Sequence, residues 1–141
     1  MNHSWRMSLK MHETDREFIA QNPDQGQFKR VLCVCSGGIL RSATAAVVFA
    51  AEPYNFNTRA CGTKPYALIQ VDHHLIGWAD EILCMESFHE DYLRKTWQRS
   101  NHYPKDEIPL IRVLDIPDTY DYRDPALIAR IKRSYEKETK E

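Results

Sequence analysis

The sequence predicts an α/β fold: a single three-layer domain in which a four-stranded parallel sheet is flanked by helices. Three observations carry that prediction. From Val31 onward short apolar runs alternate with segments of helical period, the pattern of crossover units joining parallel strands. The first of those runs, VLCVC, is apolar throughout, as a strand covered on both faces must be. The chain has 141 residues, 43% hydrophobic and 28% charged, enough for one core and too few for two ordinary domains.

Residues 1–29 are polar, lack a sustained period and include Asn22-Pro23-Asp24. They read as an N-terminal extension, with a helical turn around Glu13 to Ala20, to a domain covering 30–141. Strands are expected at 31–35, 56–61, 81–85 and 110–116, and helices at 42–52, 71–79, 88–99 and 125–137. Helix 42–52 is apolar nearly all round and so belongs beneath neighbours. The last helix has a clean start, with Asp124 as N-cap and Pro125 at the first helical position. Its tail, KRSYEKETKE, is a solvated end, and no internal repeat interrupts the order.

A net charge of −1 gives no bulk field that would recruit nucleic acid or an anionic membrane, so any attraction for anions is local. The N-terminal stretch lacks the apolar core of a secretion signal, and the longest apolar run, Ala45 to Ala51, is far too short to span a bilayer. A cytoplasmic protein is expected. Its four cysteines, Cys33, Cys35, Cys61 and Cys84, lie in or beside strand-like runs, as reduced thiols do. His73-His74 and His89-Glu90 lack zinc-site spacing and read as solvated helix histidines, so no metal and no cofactor is expected.

The chemistry concentrates in C-S-G-G-I-L-R-S, Cys35 to Ser42. Ligand sites in open parallel sheets lie at the carboxyl ends of strands, where Cys35 falls. A helix beginning near Arg41 aims its unpaired N–H groups and positive dipole end at the loop. Gly37 and Gly38 tolerate positive φ, which lets the loop turn its own amides inward. Ser36, Gly37, Gly38, Ile39, Leu40, Arg41 and Ser42 thus form a cradle for a tetrahedral oxyanion such as inorganic phosphate, sulfate or vanadate. That positive field favours the thiolate, the nucleophilic form of Cys35. Arg41 offers a planar fork to two phosphoryl oxygens, and Ser42 can give its hydroxyl to the sulfur. Attack of Cys35 on phosphorus would form a phosphocysteine that water must hydrolyse.

Those two steps need a proton donor and then a base, normally one carboxyl group used twice. The segment VLDIPDTYDYRDP has four candidates. Asp115 lies at or inside the fourth strand and Asp124 is a helix cap, which leaves Asp118 and Asp121 at the sheet edge that holds Cys35. Asp118 is the choice because a proline stiffens the chain before it and Tyr120 and Tyr122 follow as walls for an aromatic substrate.

These residues resemble the low-molecular-weight protein tyrosine phosphatases. Cys35 to Ser42 matches that family's C-x5-R-S loop after a first strand, and FNTRACGT resembles its second strand ending in S-A-G-T. WADEILCMESFHEDYL resembles its D-x-I-L-x-M-D region, and Asp118-Thr119-Tyr120 aligns with its D-P-Y. The resemblance implies Cys35 as nucleophile, phosphate binding by Arg41 and the loop amides, support from Ser42, acid–base duty for Asp118, and no metal. It implies a phosphotyrosine protein or a small aryl or alkyl phosphate as substrate. This chain departs from the family at Gly38, Leu40, Ala43, Ala46 and Ala60, where the family has asparagine, cysteine, proline, glutamate and serine. Two other functions fit the same scaffold: arsenate reduction with a disulfide relay through Cys61 or Cys84, and phosphate or phosphotyrosine binding without turnover.

Overall fold

The computed structural model describes residues 28–140. The helical turn expected around Glu13 to Ala20, with nearly all of the N-terminal extension, lies outside them. Four strands, β1 (Arg30–Cys35), β2 (Asn57–Gly62), β3 (Glu81–Cys84) and β4 (Leu110–Val113), pair in parallel in the order β2-β1-β3-β4. They alternate with helices α1 (Arg41–Ala50), α2 (His73–Trp78), α3 (Ser87–Arg99) and α4 (Pro125–Thr139). This is the α/β fold that the sequence predicts.

β1 lies inside the sheet and Val31 to Cys35 are all buried, which is why this strand shows no polar alternation. Val31, Cys33 and Cys35 pack on one face with Phe49 of α1 and Leu127 and Ile131 of α4. Leu32 and Val34 face the other way, toward Ile76 of α2 and Leu93 and Trp97 of α3. Each large apolar side chain fully buried there contributes about 1.5–3 kcal/mol. Those two clusters hold the three layers together.

Element ends differ from the sequence-based expectation for local reasons. α1 stops at Ala50 because Pro53 has no N–H to offer Phe49, whose carbonyl instead accepts from Phe56 N–H at 2.9 Å. α2 begins only at His73, since Val71 N–H is bonded to the Gly62 carbonyl at 2.9 Å and Asp72 caps the helix through Leu75 N–H. β4 ends at Val113, where the ladder meets Asp115 at φ 57°. The amides of Leu114 and Ile116 still reach the carbonyls of Cys84 and Met85 at 2.9 and 2.8 Å. α4 starts as expected, with the Asp124 carboxylate accepting from Ala126 N–H at 2.8 Å.

One consequence matters for function. Parallel pairing with Cys35 opposite Gly62 and Cys84 opposite Val113 brings every strand's carboxyl end to one edge. Among the described residues no helix is long and apolar enough to cross a membrane.

Candidate active site

The loop after β1 turns sharply because two glycines let backbones touch. Gly38 sits at φ 70°, and a Cβ there would come within 2.9 Å of Cys61 C and Gly62 N. A Cβ on Gly62 would lie 2.4 Å from the Ser36 carbonyl oxygen, so β2 ends directly against the loop. The loop is fastened further by Thr63 and Lys64, whose amides donate to the carbonyls of Cys35 and Ser36 at 3.0 Å.

Within this turn Cys35 is 3% exposed. Its Sγ accepts from Gly38 N–H at 3.1 Å and lies 3.1 Å from Ser42 Oγ. Ser42 also donates to the Cys61 carbonyl at 3.2 Å. A hydroxyl has one proton, so Ser42 can donate to that carbonyl or to the sulfur, and not to both at once. The amides of Gly37, Ile39 and Leu40 have no hydrogen-bond partner among the described residues.

Arg41 opens α1 and is 2% exposed. Its Nη1 donates to Glu86 Oε2 at 2.5 Å and to the Ile116 carbonyl at 2.8 Å. Its Nε is buried and makes no hydrogen bond; it is ion-paired with Asp118 Oδ1 at 3.7 Å, beyond hydrogen-bond range. The guanidinium is thus hydrogen-bonded through Nη1 and only ion-paired through Nε. Asp118 itself is 59% exposed on the loop that leaves β4.

Cys35, Ser36, Gly37, Ile39, Leu40, Arg41 and Asp118 line one cleft of about 320 Å³, joined by Tyr66 from the segment after β2. Gly38 and Ser42 lie beneath it against the sulfur. Tyr120 and Tyr122, expected as walls, are not among the residues that line the cleft. Tyr120 packs against the core under α1 and α4, and Tyr122 is an exposed ring beside Arg123. The aromatic wall is Tyr66, whose Cε1 would touch a Cβ on Gly37 at 3.6 Å.

Sequence reasoning also missed Glu86 and His89. His89 is no solvated helix histidine, since it is fully buried. Its Nδ1 accepts from Glu86 N–H at 3.0 Å, which leaves the ring proton on Nε2 to be donated to Ser36 Oγ at 3.0 Å. Burial, with the nearby cations Arg41 and Lys64, lowers the His89 pKa to about 4, so the ring is neutral. Glu86 and His89 form a reciprocal cap on α3, and Glu86 also holds Arg41. One cap thus ties α3 to both ends of the loop. The signal was a Glu with a His three residues on, directly after a strand at this sheet edge.

The other cysteines are fully buried, and desolvation pushes the thiols of Cys33, Cys61 and Cys84 up. None lines the cleft. That arrangement does not suit a disulfide relay.

No protein-family model matches this chain, and no curated protein matches it by sequence. Solved structures do match. The tyrosine phosphatase Wzb from Escherichia coli K30, in complex with phosphate, superposes with a TM-score of 0.57 at 14% identity, covering 79% of this chain and 96% of that one. The Erwinia amylovora tyrosine phosphatase AmsI gives 0.58 at 17% identity over 85% of this chain and 95% of its own. The arginine phosphatase YwlE, in a variant with a phosphorylated active-site serine, gives 0.51 at 18% over 79% and 97%. What these proteins share with this chain is the fold.

Proposed function

We propose that this protein is a phosphomonoesterase acting through a phosphocysteine at Cys35, with phosphotyrosine proteins as the leading substrate class. One observation carries the reading: the buried Nε of Arg41, 3.7 Å from Asp118 Oδ1, makes no hydrogen bond, and it lines a cleft that also holds a thiol and loop amides without hydrogen-bond partners. A buried donor without a hydrogen bond costs about 1–3 kcal/mol, more when charged, and a bound oxyanion removes that cost.

In the first step Cys35 Sγ forms a bond to phosphorus in line with the ester oxygen, and Asp118 gives that oxygen a proton as it leaves. Arg41 and the loop amides hold the equatorial oxygens through the change in charge. In the second step water attacks the phosphocysteine, Asp118 takes its proton, and sulfur leaves as thiolate supported by the Gly38 amide and the Ser42 hydroxyl. Inorganic phosphate is released. Tyr66 and Ile39 offer an aromatic and an apolar wall to the leaving group, which favours an aryl ester over a phosphoguanidine. Residues 30–141 constitute the catalytic domain in this reading and 1–29 an extension of it. The four free cysteines fit a cytoplasmic setting.

Hydrolysis of an aryl phosphate by the wild type, Cys35→Ser and Asp118→Asn tests the proposal. The expected result is turnover by the wild type, near-total loss in Cys35→Ser, and a large fall in Asp118→Asn that grows as the leaving group worsens. Vanadate or phosphate binding with no hydrolysis by the wild type would replace the enzyme with a binding module. Undiminished activity in Asp118→Asn together with loss in Asp121→Asn would move the acid to Asp121.

A further inference from the structure

Away from the cleft, three imidazoles converge. His73 and His74 open α2, and His102 follows α3. Their ring centroids lie 4.0 Å (His73–His74), 4.6 Å (His73–His102) and 5.1 Å (His74–His102) apart. A ring nitrogen from each lies within 4.8 Å of one from both others.

The juxtaposition is built into the fold. Tyr103 stacks on Trp97 of α3 at 4.9 Å and 13°. The same ring presses on α2 so closely that a Cβ on Gly77 would meet it at 2.6 Å. His102 N–H donates to Ser100 Oγ at 3.1 Å, and Lys105 Nζ gathers the carbonyls of Trp97, Gln98 and Ser100. The segment that carries His102 is therefore fastened to both helices.

None of the three rings makes a side-chain hydrogen bond among the described residues, and Nε2 of His73 is buried without a hydrogen-bond partner. A desolvated ring nitrogen with nothing in return is a cost that coordination would remove. We propose that His73, His74 and His102 bind a borderline divalent transition ion, zinc foremost, with His73 ligating through Nε2 and the fourth position open to water. Three neutral nitrogen donors suit zinc, copper(II) or nickel, and not magnesium or calcium, which take oxygen. Zinc–nitrogen bonds of about 2.0–2.1 Å in a tetrahedron place the nitrogens roughly 3.3 Å apart. The exposed rings of His74 and His102 can close that gap by rotation. Each histidine pair or triplet spacing in the sequence was uninformative, because His102 joins only through the packing of α2 on α3.

The test is calorimetric titration of zinc into the full chain carrying Cys35→Ser, so that the cleft thiol cannot compete. One equivalent binds saturably at micromolar zinc, and adding His102→Ala or His74→Gln weakens binding by at least about tenfold. Cobalt(II) in the same site gives visible bands of a four-coordinate ion with no thiolate charge transfer. Absence of saturable binding overturns the proposal. So does binding unchanged by both histidine variants, or a thiolate band that places the ion on cysteine.

Discussion

The two ends of the sheet each bury a charged group, and they treat it in opposite ways. At the amino end Glu81 is 1% exposed and its carboxylate is taken up by Lys29 and Arg112, with Tyr135 Oη at 3.5 Å. Burial, then the Glu81 charge, pushes the Tyr135 pKa up to about 12, so the ring stays a neutral donor. At the carboxyl end Arg41 is as deeply buried, yet only its Nη1 is hydrogen-bonded, while its Nε has no closer acceptor than the exposed Asp118 carboxylate at 3.7 Å. A closed charge network stabilises a fold; one with a donor left unbonded in the lining of a cleft is equipped to receive an ion.

The sharpest way to break that contrast is to remove both charges separately. Arg41→Ala should lower kcat/KM for an aryl phosphate by about 10³-fold or more, near 4 kcal/mol of transition-state stabilisation. Glu86, 32% exposed, can then turn to water, so the loss of fold stability should be the smaller effect. Glu81→Gln should do the reverse, costing about 3 kcal/mol in urea denaturation while kcat/KM stays unchanged. Equal effects of the two substitutions on activity would erase the distinction.

A second, somewhat smaller effect concerns His89, which joins α3 to the loop at the carboxyl end. Its folded pKa of about 4 lies below the ordinary value of about 6.5. Above pH 6.5 both states hold a neutral ring and the full stability is present. Between 6.5 and 4 the unfolded chain takes up a proton that the folded chain refuses, and roughly 2–3 kcal/mol is lost. Urea midpoints at pH 7 and pH 4.5 should separate more for the wild type than for His89→Asn. An identical separation in both would mean that His89 is not the group responsible.

The smallest effect belongs to Tyr66. Tyr66→Ala should raise KM for an aryl phosphate several-fold, about 1 kcal/mol, and leave a small alkyl phosphate nearly untouched. A uniform loss for both esters would place Tyr66 in the support of the loop and not beside the leaving group.

Much of this was readable in the residues because it is local. The apolar run of β1, the glycine bend and the start of α1 are contiguous, so Cys35, Arg41 and Ser42 could be grouped before any coordinates. Asp124 and Pro125 announced α4 in the same way. What escaped depends on chain segments meeting across the sheet. Glu86 and His89 reach the loop only because β3 pairs beside β1, and Tyr66 reaches it only because β2 ends against Ser36 and Gly38. Tyr120 and Tyr122 were placed by proximity in sequence to Asp118, but of these three residues only Asp118 lines the cleft. The expected strand to residue 116 failed at the left-handed turn at Asp115.

The phosphocysteine is the step on which the reading of the cleft rests. Rapid acid quench of the wild type and Asp118→Asn during aryl phosphate turnover, followed by mass spectrometric mapping, tests it most directly. The expected result is a phosphoryl adduct on Cys35, more abundant in Asp118→Asn because its hydrolysis lacks a base, and absent in Cys35→Ser. Steady turnover with no adduct on Cys35, or turnover that survives Cys35→Ser, would contradict it.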